Sequence, residues 1–197
     1  YYDDFNEEKN FYRILARPGY AVQAREVTQI QTMLQNQIER FGRHIFVDGS
    51  SVIGGEIRFI NTITLNLAPE YANSEIDITA WKDKTITYAS GNTDVIARVI
   101  QVTNSTDSDP HTLYIGQNYI TGDEFGVGST IKISGESVFA NLVGTSNMQS
   151  TGVLAFIDDS IFFYRGFFIK TPKQVIVVSK YSPAANARVG MEFDDSI

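Results

Sequence analysis

Residues 21–41 read AVQAREVTQIQTMLQNQIERF and decide the fold, because they encode the one long helix that the sequence predicts. The stretch has no glycine or proline, and good helix formers dominate it. Apolar residues recur at spacings of three and four, the period of one helix face. They are Val27, Ile30, Leu34, Ile38 and Phe41. We therefore predict an amphipathic helix over 21–41, ended by Gly42 in the left-handed conformation, with Arg40 and Arg43 beside its negative end.

Beyond Gly42 the apolar pattern changes to a period of two, with β-branched and aromatic residues between turn residues. This pattern predicts a mainly β fold with one long N-terminal helix (α+β), whose body is a β-sandwich or barrel. The predicted strands are 57–60, 63–67, 85–88, 95–103, 113–115, 130–134, 138–143, 153–157, 161–169, 174–178 and 188–193.

Strand spacing also predicts a domain organisation. Residues 1–44 form an arm and an anchoring helix, and residues 45–80 pair with 136–197 as the β body. Between them, residues 81–135 have short, evenly spaced strands and turns, which favours an inserted small β-barrel. A single continuous β-sandwich without an insertion is the alternative.

The first residues are rich in rings and charges and are followed by Pro18-Gly19, which interrupts regular structure. Phe5, Phe11 and Tyr12 belong to this stretch. We interpret it as an extended arm. Because so many rings seldom stay in water, we expect the arm to lie against its own body or a neighbouring subunit.

The composition excludes several classes of function. A net charge of −7 without a basic cluster argues against binding nucleic acid or anionic lipid. The absence of cysteine excludes disulfides and thiolate chemistry. No apolar run approaches the roughly 20 residues that span a bilayer, so we expect no membrane insertion. The first residue is not Met, and we expect the chain to be one section of a longer protein.

No motif predicts catalysis, a metal site or a cofactor. His44 and His111 stand alone in sequence, without the Gly-x-Ser-x-Gly turn of a hydrolase. The acidic pair at 158–159 fits a turn better than a glycosidase site, since neighbours in an extended chain point to opposite faces. The loop at 107–111 lacks the glycine and distal glutamate of an EF-hand.

Heptad spacing through the helix predicts self-association. One seam carries Tyr20, Gln23, Val27, Ile30, Leu34, Gln37 and Phe41. Buried polar residues such as the two glutamines cost stability but fix register and copy number. Alternatively, the helix packs on its own β body, with Met33 and Ile38 widening the apolar face. The predicted interface is Phe5, Phe11, Tyr12, Gln23, Val27, Ile30, Leu34, Gln37 and Phe41.

Two blocks carry a family resemblance. The first is YRIL (12–15) with RPG (17–19), AVQAREVTQIQ (21–31) and NQIERFG (36–42). The second is FFYRGFF (162–168), VIVVSKY (175–181) and RVGME (188–192). Together they resemble a family of virion structural proteins of contractile-tailed phages, cyanophage relatives included, that is catalogued as a domain of unknown function. Val27 departs conservatively from the leucine that the family leads us to expect.

The resemblance implies a place in the virion, in the baseplate or at the tail-fibre attachment, after assembly in the host cytoplasm. It further implies a larger parent chain, other baseplate or tail proteins as partners, and a homo-oligomer, most often a trimer. It carries over no catalytic residue. A host-glycan-binding adhesin is the alternative function, with sugars stacking on Trp81, Tyr88, Tyr114 and Tyr119. A depolymerase is a third.

Overall fold

The computed structural model describes residues 3–90, 95–116, 125–126, 128–143 and 150–194. These residues are mainly β with one α-helix, α1, so the predicted fold class is confirmed. Short 3₁₀ helices lie at Glu7–Lys9 and Ile78–Trp81. The elements are α1 Ala24–Ile45, β1 Ser50–Ile53, β2 Ile57–Leu67, β3 Glu70–Tyr71, β4 Ser74–Glu75, β5 Thr85–Tyr88, β6 Ile96–Thr103, β7 His111–Gly116, β8 Thr130–Ile133, β9 Phe139–Asn141, β10 Ser150–Ile157, β11 Ser160–Tyr164, β12 Phe167–Thr171 and β13 Gln174–Ser179.

The prediction that Gly42 ends the helix is wrong. Gly42 lies inside α1, and its carbonyl oxygen accepts the backbone N–H of Phe46 at 2.7 Å. A Cβ at this position would overlap the ring of Phe163, which is fully buried. The glycine is therefore required for close approach of the helix to its neighbour. At the other end the Glu26 carboxylate accepts the N–H of Gln23 at 2.9 Å, which satisfies a backbone donor where the helix begins.

Three strand predictions need correction. The predicted strands 57–60 and 63–67 form one continuous strand, β2. The predicted strand 161–169 is a hairpin of β11 and β12, because Arg165 and Gly166 both have positive φ and turn the chain. Residues 188–193 are not a strand, although their sequence alternates. Alternation produces a strand only where another strand supplies the backbone hydrogen bonds.

The chain divides into two compact units. The helix unit is Tyr1–Glu56 with Ile157–Lys173, and the barrel unit is Ile57–Phe156 with Gln174–Ile197. These units divide the chain at different residues from the predicted segments 1–44, 45–80 with 136–197, and 81–135. The helix shares its unit with β1, β11 and β12.

The barrel unit is built on an eight-stranded sheet in the order β13-β10-β2-β7-β6-β5-β8-β9. The sheet curls until the segment after β9 meets β2, where Leu142 bridges Leu67. Two backbone hydrogen bonds of 2.9 Å flank the bridge, from Ala68 N–H to the Asn141 oxygen and from Val143 N–H to the Asn66 oxygen. Six strands thus form a ring, which contains the strands of the predicted inserted barrel together with β2 and β9.

The ring encloses the hydrophobic core of the barrel unit. Trp81 has no exposed surface and belongs to this core, with residues from every strand of the ring. The core residues are Leu65, Leu67, Ile76, Ile78, Trp81, Ile86, Val95, Ala97, Val99, Leu113, Ile115, Phe125, Ile131, Ile133, Ala140 and Leu142. A closed ring has few free edges, so this unit satisfies its backbone and its apolar side chains internally.

In the helix unit, α1 contacts a three-stranded antiparallel sheet in the order β1-β11-β12. The ring of Phe163 lies 5.7 Å from Phe46 and 5.4 Å from Phe168, between ring centroids. Two turns of α1 before Gly42, the Gln35 side-chain amide donates to the Gly166 oxygen at 3.0 Å. Two glycines, one in the helix and one in the hairpin turn, therefore mark where these elements meet.

We expect Gly42→Ala to destabilise the helix unit. The new methyl overlaps a buried ring, at a cost of about 1–3 kcal/mol, and the better helix propensity of alanine offsets about 1 kcal/mol of this. The far-ultraviolet circular dichroism of urea unfolding measures the change. Gly190→Ala is the control, since a Cβ there meets nothing within 4 Å. A Gly42→Ala variant as stable as the wild type would contradict the close-approach role.

Candidate assembly surface

The polar side of α1 is the side that its own unit covers. Gln35 and Gly42 face the hairpin, as described above. The arm binds the next part of the helix circumference through its acidic residues. Asp4 pairs with Arg25 at 3.1 Å, and the Asp3 carboxylate accepts the Thr32 hydroxyl. The acidic part of the arm is therefore bound along its own helix. The sequence led us to expect the arm either on its own body or on a neighbouring subunit.

The strongest arm contact is the pair of Glu7 with Arg40, in which the guanidinium Nε donates to the carboxylate at 2.8 Å. This hydrogen bond, and then the charge of Arg40, hold the pKa of Glu7 below its usual value. The pair is exposed to solvent, so salt screens it. It positions the arm more than it stabilises the fold.

The apolar side of α1 lies in solvent. The side chains that form it are Val27 (49% exposed), Ile30 (39%), Leu34 (59%), Ile38 (45%), Phe41 (65%) and Ile45 (57%), and we call them the apolar stripe. At about 100° per residue they span about 80°, or roughly a quarter of the circumference, away from the arm anchors. Among the large apolar residues of α1, all of which are described, only Met33 is buried. The alternative in which Ile38 packs on the body does not match its exposure.

A second exposed apolar surface lies in the arm. Residues 11–22, which we call the strap, carry Phe11, Tyr12, Leu15, Tyr20 and Val22, all more than half exposed. The Arg13 and Arg17 guanidinium groups lie over the Tyr12 and Tyr20 rings at 5.7 and 5.0 Å from the ring centroids. The strap is without a helix or strand.

The predicted interface residues thus fall on two exposed surfaces. Val27, Ile30, Leu34 and Phe41 lie in the stripe, with Gln23 and Gln37 exposed beside them. Phe11 and Tyr12 lie in the strap, and Phe5 is half-buried. The prediction omitted Ile38 and Ile45 from the interface, although each follows a seam residue by four positions. It also omitted Leu15 and Val22, for which no periodic signal existed.

Of the four rings proposed to stack on sugars, the three that the structure describes do not form an exposed surface. Trp81 and Tyr114 are fully buried, and burial raises the pKa of the Tyr114 phenol. Tyr88 is half-buried. Tyr119 lies outside the described residues. Trp81 therefore belongs to the core of the barrel unit, whereas Tyr114 is buried outside that core, and neither ring is available to stack on a sugar.

Three polar residues from the possible catalytic and metal-binding motifs make structural contacts instead. His111 is buried, and its Nδ1 accepts the backbone N–H of Ser105 at 3.0 Å. Asp109 accepts the Tyr181 hydroxyl at 3.0 Å. The Asp159 carboxylate accepts the N–H of Lys173 at 2.9 Å. In the part of the chain that the structure describes, no three His, Asp or Glu residues are grouped as a metal site.

The described residues also contain no helix of the length and apolarity needed to cross a membrane. In comparisons with known proteins, the model of a family described as Domain of unknown function (DUF4815) matches residues 1–120. That range contains the arm, α1 and the chain through β7. Neither the curated proteins nor the solved structures gave a match.

We expect Glu7→Gln to loosen the arm, because the neutral amide keeps its size but loses the charge that attracts Arg40. Trypsin should then cleave after Lys9 and Arg13 several-fold faster than in the wild type. Glu8→Gln is the matched control, since it removes the same charge one residue on. Equal cleavage of the two variants would show that the pair does not hold the arm.

The same pair predicts a pH dependence. Because the pKa of Glu7 is lowered in the folded chain, its contribution is present above the ordinary value of 4.5 and is lost as pH falls through the lowered pKa. The carboxyl carbon shift of Glu7 in an NMR titration measures this midpoint. We expect it below 4.5, and a midpoint at or above that value would contradict the contact.

Proposed function

We propose that this chain, which belongs to the DUF4815 family, is a structural assembly module of a bacteriophage tail, in the baseplate or at the tail-fibre attachment. It acts by protein–protein contact and not by catalysis, and its place of action is the virion after assembly in the host cytoplasm. The observation that carries this proposal is the apolar stripe, which α1 turns away from its own unit.

An exposed stripe of this kind is costly unless a protein covers it. Fully burying a large aliphatic or aromatic side chain contributes about 1.5–3 kcal/mol, so covering a half-exposed one contributes about half as much. The six stripe residues together would therefore stabilise an interface substantially. Exposed patches of this size in soluble proteins usually mark binding surfaces.

The stripe is well suited to a second copy of the same helix. Val27, Leu34 and Phe41 occupy one heptad position, and Ile30 lies between them at the other. Gln23 and Gln37 share the position of Ile30, where an amide can both donate to and accept from its own copy. Ile38 and Ile45 widen the apolar surface beyond a narrow two-helix seam. We propose a homotrimer, as the resemblance to tail proteins favours, with other tail proteins as further partners.

The central test places charge in the stripe. We expect Ile30→Asp with Leu34→Asp to convert the oligomer into a monomer, because a buried unpaired carboxylate costs several kcal/mol. Light scattering measures the mass, and circular dichroism should show that the β content is unchanged. Gln29→Asp introduces the same residue into the same helix, on the side away from the stripe, and should leave the oligomer intact. A wild type that is monomeric at all concentrations, or a double variant that stays oligomeric, contradicts self-association.

The virion assignment has its own test. Antibody raised against the chain should label the tail tip of intact phage, and not the capsid, in electron micrographs. In parallel, the isolated chain should release no saccharide from host-surface polysaccharide. Label confined to infected-cell lysate, or saccharide release abolished by a single carboxylate substitution, would instead indicate a non-structural protein or a depolymerase.

A further inference from the structure

The helix unit has almost no hydrophobic core of its own. Among its described residues the buried apolar side chains are Met33, Ile157, Phe162 and Phe163. Most exposed large hydrophobic side chains of the described chain lie in this unit, including the whole stripe and the rings of the strap. The barrel unit shows the opposite distribution, with a contiguous core around Trp81.

A unit with that distribution is not expected to fold alone. Domains below about 70–80 residues rarely gain enough from one core to offset the entropy of ordering the chain. They usually rely on disulfides, metals or association. This chain has no cysteine, and the described residues hold no metal-ligand group. Association is the source of stability that the exposed stripe and strap indicate.

We infer that the helix unit folds only against other copies of itself, with the strap of one copy covering the stripe of its neighbour. The inference rests on the proposed function, because it assumes that the stripe is an interface. It goes further in naming the second surface of that interface and in coupling the folding of one unit to assembly.

The strap is poorly placed to cover the stripe of its own helix. Asp3, Asp4 and Glu7 bind the side of α1 that carries Arg25 and Arg40. At about 100° per residue, Arg25 lies opposite the centre of the stripe and Arg40 lies about 120° from it. The strap side chains and the stripe are both largely exposed, so the strap does not cover the stripe of its own helix, and a neighbouring copy can reach both surfaces.

The exposed apolar area also indicates that the stripe and the strap both take part in the interface. If each half-exposed apolar side chain offers on the order of 100 Å², the stripe offers about 600 Å² and stripe plus strap about 1,100 Å². A stable interface buries about 800 Å² on each partner. The stripe alone falls short of that value, and the two surfaces together exceed it.

The charges favour a copy of the same chain as the occupant. The stripe contains no charged residue, so identical copies meet there without repulsion. The strap carries Arg13 and Arg17 and no acidic residue, whereas the whole chain has a net charge of −7. A strap is thus attracted to another copy of an acidic protein, and the arginines keep polar contact with water at the rim.

The experiment is a dilution series on the full chain, followed by thermal unfolding and hydrogen–deuterium exchange. Two transitions are expected, of which only the lower depends on concentration. A 100-fold dilution should lower that transition by about 5–10 °C. At the same dilution the amides of Ala24–Ile45 should lose protection at least about tenfold, while those of β7 in the barrel core keep theirs.

A pair of variants tests the strap separately. Leu15→Ser with Tyr20→Ser should raise the dissociation constant of the oligomer at least about tenfold and lower only the first transition. Phe59→Ser is the matched control, because Phe59 is an equally exposed ring in the barrel unit, at 55%. Its dissociation constant and its first transition should equal those of the wild type.

The outcomes separate this inference from the proposed function. An oligomer whose diluted monomer keeps the helix amides protected overturns the inference and leaves self-association intact. Strap variants that bind as tightly as the wild type overturn the strap's role in the same way. A chain that never self-associates, and whose helix is protected only when another tail protein is added, overturns the second copy as occupant together with the homotrimer.

Discussion

The contact of Gly42 with the buried ring of Phe163 determines how α1 is rotated about its axis. With Gly42 facing the ring, Gln35 meets the hairpin backbone, and the next part of the circumference meets the acidic residues of the arm. The remaining part is the apolar stripe, whose side chains stay 39–65% exposed. A helix without that glycine would keep the same amphipathic sequence but would not approach the sheet on this side.

The orientation reverses the usual relation between an amphipathic helix and its own domain. Surface helices normally bury their apolar side and expose their charges. Here Arg25 and Arg40 are covered in part by arm carboxylates, while leucine, isoleucine and phenylalanine side chains lie in water. Exposed ion pairs contribute little to stability, whereas apolar burial contributes much more. The apolar side chains, which could contribute the larger free energy, thus remain outside the core of their own unit.

The two units differ in what they need from their surroundings. The barrel unit closes its strands into a ring and places Trp81 inside, so its fold is self-sufficient. The helix unit has a three-stranded sheet, one helix and an arm bound by exposed charges. The two units thus differ in how much of their apolar surface they bury within themselves.

The sequence by itself determined the helix, the spacing of Val27, Ile30, Leu34 and Phe41, and the period of two that makes the rest of the chain β, because these patterns are local. Only the tertiary structure decided which side of α1 meets the sheet, since a glycine that could end a helix could equally admit a ring. It also decided that Trp81 is interior and that residues 161–169 turn at Arg165-Gly166. Strand pairing and side-chain burial depend on contacts between residues distant in sequence, so the local spacing of apolar residues cannot predict them.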